Sequence, residues 1–158
     1  ISLLNDYPNL VVTRTFSKAY GLASLRVGYG VSSPELADLM NRVRPPFNVD
    51  SFALAAANAT LLDEEYVKES IALNDAGMAY LTSAFNDMGL SYIPSVGNFI
   101  SFKVPAGVNA MDVYNGLLRE GVIVRPVANY EMPEYLRVSI GTEAENQTFI
   151  SALKTVLS

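Results

Sequence analysis

The most informative feature of the sequence is a lysine with two hydroxyl-bearing residues before it and an arginine after it. The stretch TFSKAYGLASLRVGYG carries the hydroxyl groups of Thr15 and Ser17 before Lys18, and Arg26 eight positions after it. Hydroxyl groups and a planar guanidinium fork are donors that suit a phosphate, and a lysine amine can act as a nucleophile or a proton carrier. These residues together predict a site that holds a phosphate group beside a reactive amine.

The residues before Lys18 predict the strand that positions it. Residues 9–16 follow the turn-like DYPN and are rich in β-branched side chains, which is typical of a strand. Lys18 then falls just past the carboxyl end of this strand, where α/β sheets place their ligand sites. Gly21 lets the chain turn, and residues 26–31, with two glycines, predict a short second strand. The candidate site is therefore expected at a strand end and the turn after it.

The rest of the chain predicts alternating helices and strands, and hence an α/β fold. Ser33, Pro34 and Glu35 supply an N-cap, a first helical residue and a first-turn acid. Helices are predicted over residues 34–43, 51–62, 64–88, 110–120 and 143–157, and further strands over residues 91–93, 98–104, 122–125 and 135–140. The β-β-α-β-β-α order after the long helix predicts a compact second lobe.

The composition excludes several classes of site. The chain has no histidine, which removes Ser-His-Asp catalysis and the usual metal ligands, so no metal site is predicted. It has no cysteine, so it has neither disulfides nor thiolate zinc ligands. A net charge of -5 without a basic cluster argues against a nucleic acid partner. No apolar run approaches the roughly 20 residues of a membrane span, and we therefore expect a cytoplasmic protein.

Several segments, in order, resemble one enzyme family. TFSKAYGLASLRVGY is similar to the cofactor-lysine motif of fold type I pyridoxal-phosphate aminotransferases, in particular the histidinol-phosphate aminotransferase branch of class I and II. The resemblance continues through NRVRPPFNVDSFALAAANATL, SVGNFISF, GVIVRPV and YLRVSIGTEAENQTFISAL, and so covers essentially the whole chain. Because the motif is long and ordered, it is far more specific than an isolated Ser-Lys pair.

The resemblance implies a role for each residue of the candidate site. Lys18 matches the lysine that forms a Schiff base with the aldehyde of pyridoxal 5'-phosphate and later carries a proton for the amino substrate. Arg26 matches the arginine that binds the cofactor phosphate, with help from the hydroxyl groups of Thr15 and Ser17. Arg137 matches the arginine that takes the substrate α-carboxylate. Arg125 matches a second arginine, which the histidinol-phosphate branch associates with the substrate phosphate.

The same resemblance implies a division into two domains. Residues 1–62 are expected to be the C-terminal part of a large cofactor-binding domain with a mostly parallel sheet, and residues 63–158 the small C-terminal α+β domain. The chain is then expected to be the C-terminal portion of a longer enzyme. By this resemblance, the aromatic ring that stacks on the cofactor and the acid that pairs with its pyridine nitrogen lie upstream. The 158 residues alone are therefore expected to be inactive.

The implied activity is transamination of L-histidinol phosphate with 2-oxoglutarate in histidine biosynthesis, by a homodimer. The expected partners are an amino-acid-like substrate and a 2-oxo acid. A threonine-phosphate decarboxylase or an aromatic aminotransferase of the same fold is the nearest alternative, and Arg125 bears on that choice. The alternative from another class is a non-catalytic, aminotransferase-like effector domain of a transcription regulator.

Overall fold

The computed structural model describes all residues from Ile1 to Ser158 and divides them into two compact units. The first unit is Ile1–Ser70 and the second is Ile71–Ser158. The division falls inside a long helix, α3 (Glu64–Asp87), so this helix begins in one unit and ends in the other. Each unit is described by itself below. No helix of the chain combines the length and the apolar character needed to cross a membrane.

The first unit contains one small sheet and two helices. Its strands β1 (Val12–Thr15) and β2 (Gly28–Val31) pair antiparallel, and the helices α1 (Pro34–Val43) and α2 (Ser51–Leu61) follow. Within residues 1–62 the structure therefore shows a single antiparallel pair, and the mostly parallel sheet expected of the whole large domain stays a prediction. Parallel neighbours need a crossover connection, usually a helix, whereas β1 and β2 are joined only by a loop with one short 3₁₀ turn.

Four buried residues form the core of the first unit. Phe16 and Val27 lie just after β1 and just before β2, and both are buried. Ala53 and Ala57 are four positions apart on α2, so they face the same side of this helix and complete the cluster. Their small side chains let the helix backbone approach closely. The core therefore fixes the chain on both sides of the Lys18 segment.

The second unit is a four-stranded antiparallel sheet covered by helices. Its strands are β3 (Tyr92–Ile93), β4 (Phe99–Lys103), β5 (Arg125–Pro126) and β6 (Tyr135–Ser139), in the order β3-β4-β6-β5. Helix α4 (Ala110–Arg119) lies between β4 and β5 in sequence, and α5 (Glu143–Leu157) follows β6. The predicted β-β-α-β-β-α order of the second lobe agrees with this element order.

The sheet of the second unit has two unlike faces. Ile100 and Phe102 of β4 and Leu136 and Val138 of β6 alternate along their strands and are buried in one large apolar cluster. Helices α3, α4 and α5 contribute most of the other side chains of that cluster, and Leu90, Val104 and Val124 from the connecting segments complete it. The residues between them in sequence, Arg137 among them, point to the opposite face. A polar surface is therefore held in place by a well-packed core.

One predicted strand is largely wrong. Residues 122–125 are β-branched and suggested a strand, but only Arg125 pairs within the sheet. Gly121 adopts a left-handed φ of 79°, and the backbone N–H of Val122 donates to the carbonyl oxygen of Leu117 at the end of α4. This helix-terminating bond uses the N–H that a strand would have needed. Val124 then turns into the core and is buried.

The start of α5 is closed by a capping box. The Glu145 carboxylate accepts hydrogen bonds from the backbone N–H of Thr142 at 2.7 Å and from its hydroxyl at 2.8 Å. The Thr142 hydroxyl in turn accepts from the Glu145 N–H. The backbone bond, followed by the hydroxyl bond, holds the pKa of Glu145 below its ordinary value. The folded state therefore favours the charged carboxylate.

We expect Glu145→Gln to flatten the loss of stability in acid. Because the folded-state pKa of Glu145 is lowered, its contribution is complete above the ordinary glutamate pKa of about 4.3. It is lost as the pH falls through the lowered value. Thermal unfolding, followed by circular dichroism from pH 7 to about pH 2, measures how stability depends on pH in the wild type and the variant. Glu69→Gln, on the exposed surface of α3, is the matched control; identical pH profiles for the two variants would contradict the expectation.

Candidate active site

The first group of predicted site residues lines a shallow cavity of about 340 Å³ in the first unit. Thr15, Ser17 and Arg26 all contribute to its wall, and the roles assigned to them remain predictions. The remaining lining residues are Thr13, Arg14, Val27 and Gly28. The cavity therefore combines hydroxyl groups with two guanidinium groups, and no acidic side chain lines it.

The two walls of this cavity are joined by backbone hydrogen bonds. The N–H of Phe16 donates to the carbonyl oxygen of Val27 at 3.2 Å, directly beyond the pairing of Thr15 with Gly28. Both Phe16 and Val27 are buried, and the Phe16 ring lies 4.9 Å from that of Tyr20. Residues next to buried anchors must point the other way in an extended chain. Thr15 is thereby held at the cavity wall.

A hydroxyl-backbone turn shapes the segment between Thr15 and Lys18. The N–H of Ser17 donates to Oγ1 of Thr15 at 3.0 Å. Because the Thr15 hydroxyl acts there as an acceptor, its own proton remains able to donate to a ligand. The Ser17 side chain is half-buried and also lines the cavity. Two hydroxyl donors are thus placed side by side.

Arg26 has a backbone conformation that is unusual for its residue type. Its φ of 51° and ψ of 43° lie in the left-handed region, which costs a residue with a side chain roughly 1 kcal/mol or more. Its Nη1 donates to the carbonyl oxygen of Ala23, and the guanidinium takes part in none of the four ion pairs of the chain. Strain in a residue that carries an unneutralised cation points to a ligand-binding role.

Lys18 follows Ser17 at the start of a tight turn; it is solvent-exposed and is not one of the residues that line the cavity. Its carbonyl oxygen accepts a hydrogen bond from the N–H of Gly21 at 2.8 Å, and Gly21 has a left-handed φ of 70°. The next N–H, that of Leu22, donates to the carbonyl oxygen of Phe16 at 2.9 Å. The loop that carries the lysine is therefore closed on both sides by backbone hydrogen bonds.

The second group of predicted residues lies on the polar face of the sheet in the second unit. Arg125 of β5 and Arg137 of β6 are register partners, so their side chains share one face, and Ser101 of β4 flanks Arg137 on the other side. Neither arginine belongs to an ion pair of the chain. Like charges directly opposite each other in a sheet are destabilising. The arrangement suits an anionic ligand that neutralises both.

A neighbouring cation on the same face is paired, in contrast to the two arginines. Nζ of Lys103 lies 2.8 Å from a carboxylate oxygen of Glu134. That hydrogen bond and the charge of Glu134 raise the pKa of Lys103. The chain thus neutralises one cation of this surface internally and leaves Arg125 and Arg137 free to meet an anion.

Comparison with known proteins decides the family. The family described as "Aminotransferase class I and II" matches residues 1–153. The chain belongs to this aminotransferase family.

Individual aminotransferases and their structural neighbours agree with this assignment. The histidinol-phosphate aminotransferase 2 of Pseudomonas fluorescens (strain Pf0-1) is 61% identical over the whole chain, which spans 42% of that relative. The crystal structure of histidinol-phosphate aminotransferase from Sinorhizobium meliloti in complex with pyridoxal-5'-phosphate matches with a TM-score of 0.78 and 33% identity, covering 96% of this chain and 42% of that one. L-threonine-O-3-phosphate decarboxylase from Porphyromonas gingivalis matches with a TM-score of 0.86 and 27% identity, covering 99% and 49%.

The aminotransferase motif did not reveal every residue of the cavity. Arg14 lines it alongside Arg26, and its Nη1 also donates to the carbonyl oxygen of Thr13. In the sequence, Arg14 is one polar residue inside a β-rich run, and nothing there distinguishes it from a solvent-facing strand residue. Only the folded structure shows that Arg14 and Arg26 line the same cavity.

Replacing Gly21 with alanine is expected to destabilise the lysine loop by about 1–2 kcal/mol. The left-handed φ disfavours any side chain, and a Cβ atom at this position would lie 2.9 Å from the hydroxyl of Tyr66. Gly107 also has a left-handed φ, of 83°, but its Cβ would meet no atom within 4 Å. Gly107→Ala is therefore the matched control for the φ effect alone. Urea unfolding would measure both variants; a Gly21→Ala variant as stable as the wild type would contradict the prediction.

Proposed function

We propose that this aminotransferase uses pyridoxal 5'-phosphate to transfer an amino group between L-histidinol phosphate and 2-oxoglutarate, as a step of histidine biosynthesis in the cytoplasm. The observation that carries the proposal is the cavity lined by Thr15, Ser17 and Arg26, since Lys18 directly follows Ser17 in the chain. The 61% identity to a relative named histidinol-phosphate aminotransferase supports the choice of substrate. The two free arginines of the second unit support an anionic substrate.

The residues of the cavity fit the phosphate of this cofactor. Two arginines and three hydroxyl-bearing residues line a space without any acidic residue, and these are donors that suit a phosphate dianion. Arg26 and Arg14 would neutralise its charge, and Thr15 and Ser17 would donate hydrogen bonds to its oxygens. When bound, pyridoxal 5'-phosphate supplies an aldehyde that captures amines and a ring that withdraws electrons.

Lys18 would then form the covalent link to the cofactor and transfer protons during the reaction. Lys18 directly follows Ser17, which lines the cavity, and the turn closed by Gly21 fixes the backbone that carries the lysine. An amine held there can displace or be displaced by another amine and can carry a proton to and from the reacting carbon. This role explains how a chain without histidine can provide a general base.

Arg137 and Arg125 would bind the anionic ends of the two substrates. A guanidinium presents a fork of N–H donors that matches a carboxylate or a phosphate in two-point geometry. We assign Arg137 to the α-carboxylate of the 2-oxo acid and Arg125 to the phosphate of the amine. Their register pairing places both on one face of the sheet, so the two substrates can use the same surface in turn.

Self-association into a homodimer is part of the proposal. Helix α2 buries only Ala53 and Ala57, and Phe52 and Leu54 remain exposed to 80% and 52%. Apolar side chains of this size on one helix are suited to a contact with a second copy. Phe52→Glu is expected to shift the protein at its natural length toward a monomer in sedimentation velocity, whereas Phe52→Leu should leave the dimer intact. A Phe52→Glu dimer as tight as the wild type would contradict this contact.

The structural similarity to L-threonine-O-3-phosphate decarboxylase makes decarboxylation the second function to test. Both activities require a phosphorylated amine, but only the decarboxylase releases carbon dioxide from its substrate. The protein at its natural length is therefore incubated with pyridoxal 5'-phosphate and with each substrate in turn. Formation of glutamate from 2-oxoglutarate and L-histidinol phosphate supports the proposal. Release of carbon dioxide from threonine phosphate without glutamate formation would replace it, and no cofactor absorbance near the visible edge would favour the effector-domain alternative.

A further inference from the structure

Phe99 is an aromatic residue on the polar face of the sheet in the second unit. It begins β4 and is 36% exposed, whereas the next three residues of this strand are buried. The ring of Phe102 lies on the opposite face, 5.1 Å from Phe85 and 5.9 Å from Phe149, inside the apolar core. Phe99 belongs to no such cluster. Its position on the water-facing side therefore calls for another explanation.

The sheet register brings Phe99 next to Arg137. Phe99 pairs with Ser139 and Ser101 pairs with Arg137, so Phe99 and Arg137 are diagonal neighbours on one face. Diagonal neighbours lie within reach of each other when one is aromatic and the other is long. Cζ of Arg137 lies over the Phe99 ring, 4.5 Å from its centroid. The contact is therefore a cation–π interaction.

This contact offsets the electrostatic repulsion between the two arginines. Arg125 faces Arg137 directly, and no carboxylate of the chain pairs with either. Without a further contact, repulsion would favour splayed, mobile side chains. The negative face of an aromatic ring attracts a guanidinium but accepts none of its strong N–H hydrogen bonds. The ring can thus hold Arg137 in place and leave its donors available.

The ring is itself supported from the preceding loop. A Cβ atom on Gly97 would lie 3.6 Å from the Phe99 ring, so the glycine backbone packs against it. The Asn74 side chain on α3 donates to the carbonyl oxygen of Gly97 at 3.3 Å, and the carbonyl oxygen of Asn98 accepts from the N–H of Ile140 at 2.9 Å. The aromatic platform is therefore tied both to a helix and to the strand end that follows Arg137.

We propose that Phe99 is a positioning residue, whose ring holds the Arg137 guanidinium with its N–H donors directed to an anionic group of the substrate. The inference rests on the proposed function only for the identity of that anion, a carboxylate or a phosphate. Phe99 touches no reacting atom and acts through Arg137. Its loss is expected to weaken anion binding and to leave the chemical step unchanged.

Two variants at position 99 test the role of the ring. In the protein at its natural length, Phe99→Leu keeps an apolar side chain but removes the aromatic face, and Phe99→Tyr keeps the face. We expect Phe99→Leu to raise KM for 2-oxoglutarate by about 3–30-fold, the range that a cation–π contact corresponds to, with kcat within about twofold (the pattern of lost ground-state binding). Phe99→Tyr should restore the wild-type KM.

Tyr135→Leu is the matched control. Its ring lies on the same face, 5.9 Å from Nζ of Lys103, but that cation is already paired with Glu134. Tyr135→Leu should therefore leave KM for 2-oxoglutarate at the wild-type value. Equal KM increases in Phe99→Leu and Tyr135→Leu, or a Phe99→Tyr variant as impaired as Phe99→Leu, would overturn the inference.

A binding measurement separates this inference from the proposed function. Isothermal titration calorimetry with glutarate, a dicarboxylate without a reacting carbonyl, and with inorganic phosphate needs no turnover. If glutarate or phosphate binds the wild type and Phe99→Tyr but binds Phe99→Leu about 3–30-fold more weakly (the cation–π range), the positioning role stands even where no transamination is detected. The probe that binds Phe99→Leu more weakly shows whether Arg137 binds a carboxylate or a phosphate. Equal binding by wild type and Phe99→Leu, or no binding of either probe to the wild type, would overturn it.

Discussion

Lys18→Ala is expected to lower kcat/KM for transamination by at least about 10³-fold, because a positioned general acid–base group alone contributes roughly 10²–10⁴-fold. The same variant should lose the cofactor absorbance near the visible edge that a covalent link to the lysine amine produces. The phosphate cavity is formed by Thr15, Ser17 and Arg26 and remains intact in this variant. Affinity for free phosphate should therefore change little. Steady-state kinetics and absorbance spectra of the protein at its natural length measure both effects.

The remaining lysines supply the control for this prediction. The chain has four lysines in all, Lys18, Lys68, Lys103 and Lys154. Lys154 is exposed in the last turns of α5, so Lys154→Ala should retain the wild-type rate and spectrum. A Lys18→Ala protein that keeps more than a tenth of the wild-type rate would show that another amine performs the chemistry.

Arg125→Ala is expected to raise KM for L-histidinol phosphate by about 10–100-fold, since a hydrogen bond to a charged group contributes roughly 1.5–3 kcal/mol. The KM for phenylalanine, which carries no phosphate, should change far less. Arg125 also faces Arg137, and its removal relieves repulsion in the empty site. The ratio of the two KM changes is the decisive quantity, and steady-state kinetics with both amines measures it.

Arg119→Ala provides the matched control for the arginine prediction. Arg119 is an exposed cation in the last turn of α4 and lies outside the sheet face that carries the arginine pair. Its loss should leave both KM values unchanged. If Arg125→Ala raises both KM values equally, the phosphate assignment falls and an aromatic aminotransferase becomes the better description.

Helix boundaries were the part of the fold that local sequence predicted best. Helix α1 begins and ends at the predicted residues because Ser33 caps it and Pro34 starts it, and both signals are local. Helix α5 also spans the predicted residues, and the structure shows that Thr142 and Glu145 cap its start. In each case the backbone bonds that define the helix end involve residues three or four positions apart.

Pairing between distant residues could not be predicted in this way. The antiparallel partner of β1 and the short extent of β5 depend on which N–H groups remain free after neighbouring elements have formed. The left-handed conformation of Arg26 likewise has no local signal, since arginine normally avoids it. The motif placed Thr15, Ser17 and Arg26 at one site, and the structure adds Arg14 to their cavity.

The segment from Thr15 to Arg26 is proposed to bind pyridoxal 5'-phosphate through Lys18. This binding is tested most directly by reducing the cofactor-loaded protein at its natural length with borohydride and mapping the labelled lysine by peptide mass spectrometry. Among the four lysines of the chain, we expect a phosphopyridoxyl group on Lys18 alone, in a stoichiometric amount. A label spread over Lys68, Lys103 and Lys154, or a Lys18 peptide that stays unmodified, would contradict it.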